Sequence, residues 1–192
     1  SSDLDLAATA VWGTQQLHLS PGARYDGVAG YWYGKGPGVD RCGDVLKHAN
    51  AAGTSRHGGV LCFAGDDHSA KSSSIPHQSD HAFMSAVIPV LYPSSIHEFV
   101  EYGLLGTAMS RYSGCWVGMK FISDTVETTA SVDLAGERRQ FVIPENFELP
   151  PGGLNLRWPD PPLPQDERLQ TYKGYAAIAF ARANRVDEVT HD

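Results

Sequence analysis

Two carboxylates and an imidazole stand side by side at Asp66, Asp67 and His68, one glycine after the apolar run Val60-Leu61-Cys62-Phe63-Ala64. Such a trio can move protons, orient a polar ligand or bind a divalent ion. The loop runs on through Ser69-Ala70-Lys71 into Ser72, Ser73 and Ser74. A polar loop at the carboxyl end of a buried strand is where open α/β sheets place their ligands. The same aspartates can instead close the loop by hydrogen-bonding its backbone, and the serines can cradle a phosphate or be ordered by a partner. A metal reading adds His77, Asp80 and His81 to the trio. Pro76 makes His77 a helix-start residue, however, and no zinc-binding helical spacing with a glutamate occurs, so no metal is expected. A second polar loop, Tyr33-Gly34-Lys35-Gly36-Pro37-Gly38-Val39-Asp40-Arg41, offers Lys35, Asp40 and Arg41 to an anion or an adjoining domain, or is a tight turn that its glycines permit. Lys47, His48 and Asn50 lie near the end of the next predicted helix. There the basic pair either faces a site or offsets the helix's C-terminal partial charge, worth about 0.3–1 kcal/mol.

The elements that must hold these loops form an alternation. Leu6 to Leu17 reads as an alanine-rich helix that stops at Ser20-Pro21-Gly22, and Tyr25–Tyr33 as a strand ending in the core aromatics Tyr31, Trp32 and Tyr33. Asp40 is placed to cap a helix from Arg41 to Ala52. The Val60–Ala64 strand, a short helix at Asp80–Ala86 and a strand over Val87–Tyr92 follow. Ser95 with Glu98 spells a capping box for a helix reaching Ser113, and Cys115–Ile122 reads as a buried strand. This order predicts a three-layer α/β/α domain with a mostly parallel sheet. Farther on, Ala130–Leu134 and Arg139–Ile143 flank Ala135-Gly136-Glu137 as a hairpin-like reversal. Seven prolines between Pro144 and Pro164 make an extended strap, and Asp166–Arg185 reads as a helix whose buried face carries Leu169, Tyr172, Ala176 and Ala179. The chain therefore divides into an α/β domain over 1–143 and a strap with terminal helix over 144–192 that leads toward a following domain.

Composition narrows the function classes. At 192 residues, with 42% apolar and 19% charged residues, the chain suits one globular core. A net charge of -7 without a basic stripe argues against a nucleic-acid surface. No apolar run approaches the roughly 20 residues of a membrane span, and no signal-peptide pattern opens the chain. Cys42, Cys62 and Cys115 are too few and too widely spaced for a disulfide framework or an iron–sulfur cluster. Cys62 and Cys115, in apolar runs, read as buried hydrophobes, and a reducing cytoplasm is the expected compartment.

Three long runs carry a resemblance. Trp32 to Asn50, Gly65 to Ser73, and Met109-Ser110-Arg111-Tyr112-Ser113-Gly114-Cys115-Trp116-Val117-Gly118 resemble the large bacterial indolepyruvate:ferredoxin oxidoreductases of the 2-oxoacid:ferredoxin oxidoreductase family, as does the late run Pro151 to Pro161. The resemblance covers nearly the whole chain. It implies most of the domain that holds the pyrimidine end of thiamine diphosphate in a multidomain enzyme that decarboxylates an aryl pyruvate to an acyl-coenzyme A. It further implies electron transfer through iron–sulfur clusters to ferredoxin, with those clusters, Mg2+ and the diphosphate bound outside this chain, and a homodimer. Lys47, His48, Asn50, Asp66, Asp67 and His68 are the candidate cofactor-side residues on this likeness, while Arg111 and Trp116 are expected to pack a domain interface.

One position departs from the pattern. The resemblance expects a glutamate just before the first helix, where its carboxylate drives the aminopyrimidine tautomer that activates the cofactor. Here the chain reads Asp3-Leu4-Asp5, with Leu4 at that place. No catalytic residue is therefore assigned, and the isolated chain is expected to be inactive. A non-catalytic interaction domain that has lost the glutamate is the first rival. A metal-dependent hydrolase using Asp66, Asp67 and His68 is the second.

Overall fold

A computed structural model describes residues 2–133 and 140–187. Four strands, β1 (Ala29–Lys35), β2 (Gly59–Asp66), β3 (Val90–Leu91) and β4 (Val117–Ile122), form one sheet in the order β1-β2-β4-β3, and every pairing is parallel. Among the described residues eight helices accompany them: α1 (Ser2–Thr14), α2 (Gly36–Arg41), α3 (Gly43–Ala52), α4 (Asp80–Ser85), α5 (Ile96–Ser113), α6 (Ser123–Val126), α7 (Pro162–Arg168) and α8 (Gly174–Ala183). Alternation along the strands sends side chains to two cores. Val60, Cys62 and Ala64 join Trp32, Leu46, Phe83 and Trp116 under α1 to α4. Leu61, Val117 and Met119 join Leu105, Met109, Ala177 and Phe180 under α5 and α8. Helices thus cover both faces of the sheet, and the expected three-layer α/β/α architecture is present.

Several boundaries differ from expectation for local reasons. The first helix begins at Ser2 and ends at Thr14, with only a short 3-10 turn over Leu17–Leu19, and the first strand starts at Ala29 rather than Tyr25. Asp40 caps nothing. Gly36 and Pro37 open α2 directly, because proline suits the first helical positions, and α3 starts afresh at Gly43. Of the three aromatics assigned to the core, only Trp32 is buried; Tyr31 and Tyr33 are 53% and 79% exposed. They point to the opposite face of β1, the edge strand, where no helix of the described residues covers them fully. Trp116 packs within the first core rather than at a domain interface.

The capping box is present but shifted. Ser95 Oγ accepts from the Glu98 amide at 3.3 Å, while the Glu98 carboxylate returns to the Ser94 amide at 2.6 Å instead of to Ser95. Gly114 ends α5 at φ 73°, and a Cβ there would lie 2.3 Å from the Leu154 carbonyl oxygen, so only glycine lets the strap pass. The hairpin expected around residues 135–137 lies outside the described residues, and the flanks at 130–133 and 140–143 form no strand. The last helix starts at Pro162, earlier than Asp166, and contains a π turn over Leu169–Lys173. That extra residue rotates the buried face to Leu169, Lys173, Ala176, Ala177 and Phe180. Ala177 and Phe180 of this last helix fill the second core beside α5.

Candidate functional site

A cleft of about 710 Å³ opens over the carboxyl ends of β1, β2 and β4. Leu4, Tyr33, Phe63, Phe121 and Val126 give it apolar and aromatic walls, and Lys35, Asp66, Asp67, Ser72 and Ser123 its polar lining. Phe63 and Phe121 meet edge to face at 5.2 Å. Strand alternation explains the mixture: the aromatics leave the sheet on one face and Asp66 on the other, and the cleft spans both at the strand ends.

The two aspartates do different work. Asp67 organises the loop. Its carboxylate accepts from the Lys71 and Ser72 amides at 2.8 and 2.7 Å and from Ser72 Oγ at 3.0 Å, while its own amide and carbonyl pair with those of His77 at 3.2 and 2.9 Å. Chiefly the Ser72 amide bond holds its carboxyl below the ordinary carboxylate range. Lys35 donates to the Ser72 carbonyl from across the cleft.

Asp66 anchors a buried charge network. Its side chain has no solvent exposure; Oδ2 accepts from the Ser79 amide and hydroxyl at 3.0 Å each and lies 3.4 Å from Lys120 Nζ. Lys120 in turn donates to Asp80 at 2.7 Å and stands 4.6 Å from the centre of the Tyr92 ring. Burial pushes Lys120 down, but Asp80 and Asp66 outweigh it and hold the ammonium above its ordinary value. On the other side His77 Nε2 lies 2.7 Å from Asp40 Oδ2, and His77 Nδ1 faces Asp66 Oδ1 at 3.9 Å.

The remaining candidates disperse. His68 and His81 are exposed on the loop and on α4. Lys47 and His48 are exposed on α3, outside the cleft, with His48 only 3.7 Å from Asp44 one helical turn back. Asn50 is wholly buried. Its amide donates to the Ala86 and Val87 carbonyls at 2.8 and 3.0 Å, and its oxygen accepts from the Trp116 amide at 2.8 Å, so it pins α3 to the chain before β3 and β4. Ser73 and Ser74 do not line the cleft, Arg41 is exposed at the end of α2, and Arg111 bonds the Gly58 carbonyl at 2.9 Å. Among the described residues, no group of three or more histidine, cysteine, aspartate or glutamate side chains is arranged to hold a metal ion.

Sequence reasoning missed Lys120 and the role of His77 beside Asp40. A readable signal existed for the first: Lys120 is the single charge in the apolar run Cys115–Ile122, and a buried ammonium needs a carboxylate partner. Asp5, flanking Leu4, lies beside the Cys42 thiol, which burial first and Asp5 second push up to about 12. No family model matches this chain, and neither a curated protein nor a solved structure matches it. No helix of the described residues is long and apolar enough to cross a membrane.

Proposed function

We propose that this chain is the pyrimidine-side domain of a thiamine-diphosphate-dependent 2-oxoacid:ferredoxin oxidoreductase, inactive when isolated. One observation carries the reading. Leu4, the residue at the place of the expected ring-activating glutamate, lies in the wall of the cleft at the carboxyl ends of the parallel strands. A glutamate substituted there would have its side chain in that cleft's wall.

Whether the residues present suit the cofactor divides by function. Tyr33, Phe63, Phe121, Leu4 and Val126 offer apolar walls of the kind a heteroaromatic ring packs against. The activating carboxylate is what does not fit. Leu4 has none, Asp67 spends both oxygens on its own loop, and Asp5 sits against Cys42. Thiamine diphosphate, when bound, supplies the carbanion chemistry that decarboxylates a 2-oxo acid. What this chain contributes on this reading is an apolar wall for the ring, with Lys35 in the polar lining of the same cleft. No catalytic step is assigned to it alone.

On this reading Mg2+, the diphosphate and the iron–sulfur clusters belong to the remaining domains of a longer enzyme. An aryl pyruvate, coenzyme A and ferredoxin are its substrates and partner, and a second copy completes a dimer. Three free, buried cysteines accord with the cytoplasm. Calorimetric titration of thiamine diphosphate with Mg2+ into this chain and into the longer parent tests the proposal. Tight binding by the parent and little by the chain is expected; no binding by either rejects it. That second outcome favours the rival interaction domain, for which the exposed Tyr31, Tyr33 and Leu104 supply an apolar surface.

A further inference from the structure

We infer that the 67–79 loop is a proton-controlled gate of the cleft, bolted shut by a protonated His77. The inference rests on reading the cleft as a ligand site. Asp67 and Ser72 form one wall of that cleft, so the loop's attachment sets how open it is. His77 bridges two carboxylates from different elements: Asp40 on α2, 2.7 Å from Nε2, and Asp66 at the end of β2, 3.9 Å from Nδ1.

Two buried polar atoms are orphaned here. His77 Nδ1 and Asp66 Oδ1 are both buried, both lack a hydrogen-bond partner, and face each other. With Nε2–H donated to Asp40, a neutral ring must present the Nδ1 lone pair to Asp66 Oδ1, setting one acceptor against another. A ring protonated on both nitrogens presents Nδ1–H instead, and a movement of about 1 Å completes the bond. The arrangement is complementary to imidazolium and to no neutral tautomer that keeps the Asp40 bond.

The surrounding charges agree. Asp40, Asp66 and Asp80 face only Lys120 and His77 within this network, so a neutral ring leaves three carboxylates against one ammonium. His68 stands close enough to Asp80 to stabilise its charge, and Lys35 does the same for Asp67. Gly36 makes room for the bolt, since a Cβ there would lie 2.0 Å from His77 Nδ1. When the proton leaves, the attachment to Asp66 is lost while Ser79 still anchors the loop's far end at 3.0 Å. The Asp40 bond and the Asp67–His77 backbone pair also remain, so the segment between loosens around His77 rather than swinging off α2 or unfolding.

Hydrogen exchange of the 67–79 amides in the 192-residue chain tests the gate without any cofactor. After correction for intrinsic rates, protection is expected to fall about tenfold between about pH 5.5 and about pH 8.5, the interval in which imidazoles titrate. His77→Gln and Asp66→Asn should each show the low-protection value throughout, and Asp40→Asn serves where either fails to fold. Wild-type protection that stays flat with pH, or a fall that survives in His77→Gln, overturns the gate. Thiamine diphosphate failing to bind rejects the cofactor reading and leaves this measurement unaffected.

Discussion

Lys173 supplies a quantitative test of the packing between α3, the strap and the terminal helix. It is wholly buried on the π turn, and its ammonium nitrogen donates to the Asn50 and Ala51 carbonyls at 3.2 and 2.7 Å, capping the end of α3. Burial, aided by Arg168 and Arg157 and opposed by Cys115 and Asp160, pulls its pKa from 10.5 to about 7. A base whose folded pKa is lowered holds its proton more firmly in the unfolded chain, so stability rises with pH between those two values. At full protonation the charge costs on the order of 5 kcal/mol, and from about pH 6.5 to about pH 8.5 the fold should regain about 2 kcal/mol.

Lys173→Met removes the titration and leaves two carbonyls without a donor, a fixed loss of about 1–3 kcal/mol each. The offset between the variants is therefore ambiguous, and its slope is not. Urea unfolding followed by tryptophan fluorescence should show the wild type gaining about 2 kcal/mol relative to Lys173→Met across that interval. Burial also pushes Cys42 up to about 12 and Cys115 up to about 11, which lowers stability only above their ordinary value of 9.0, beyond the window. A difference that stays constant with pH would refute the reasoning: the ammonium would then be solvated or paired in a way the geometry does not provide.

Asn50→Ala should cost about 3 kcal/mol in the same assay, because three buried backbone groups lose their partner at once, and Asn50→Asp should cost more by turning an acceptor toward two carbonyls. Leu4→Glu returns a carboxylate to the cleft wall; on the proposed function it should raise thiamine diphosphate affinity in the parent at least about tenfold, and an unchanged affinity counts against the cleft as the ring site. Below the ordinary carboxylate range the Asp67 carboxylate takes up a proton, so the loop's amide protection at Lys71 and Ser72 should persist as pH falls to 3.8 and collapse only below it; Asp67→Ala should lose that protection at every pH. Gly36→Ala should reproduce the exchange behaviour of His77→Gln by displacing the imidazole, whereas a wild-type profile would show that the ring has room to spare.

The parallel sheet could be read in advance because apolar runs such as Val60–Ala64 and Cys115–Ile122 lie between helical spans, and burial on both faces makes such runs continuous. That a cleft would open at the carboxyl end of β2 was also legible. Individual roles were not. Asp66 and Asp67 are adjacent in sequence yet emerge on opposite sides of the strand end, so one enters a buried charge network and the other folds back on its own loop. Asn50 resembles a site residue in type and place, but its helical phase points it inward with Leu46 and Ala49. Lys173 escaped notice because the π turn advances the phase by one residue, and no regular spacing anticipates that.

Buried charges make the same point about where function can hide. Lys120 and Lys173 are each nearly or wholly inaccessible, yet only Lys120 meets carboxylates directly, and its pKa moves up while that of Lys173 moves down. The first is held as a permanent charge in the network that fastens the cleft loop, whereas the second is a capping group close to neutrality. The two side chains are thus separated by their partners together with the more complete burial of Lys173, one anchoring the candidate site and the other capping the end of α3. Of the two, only Lys120 faces a residue of the cleft lining, Asp66.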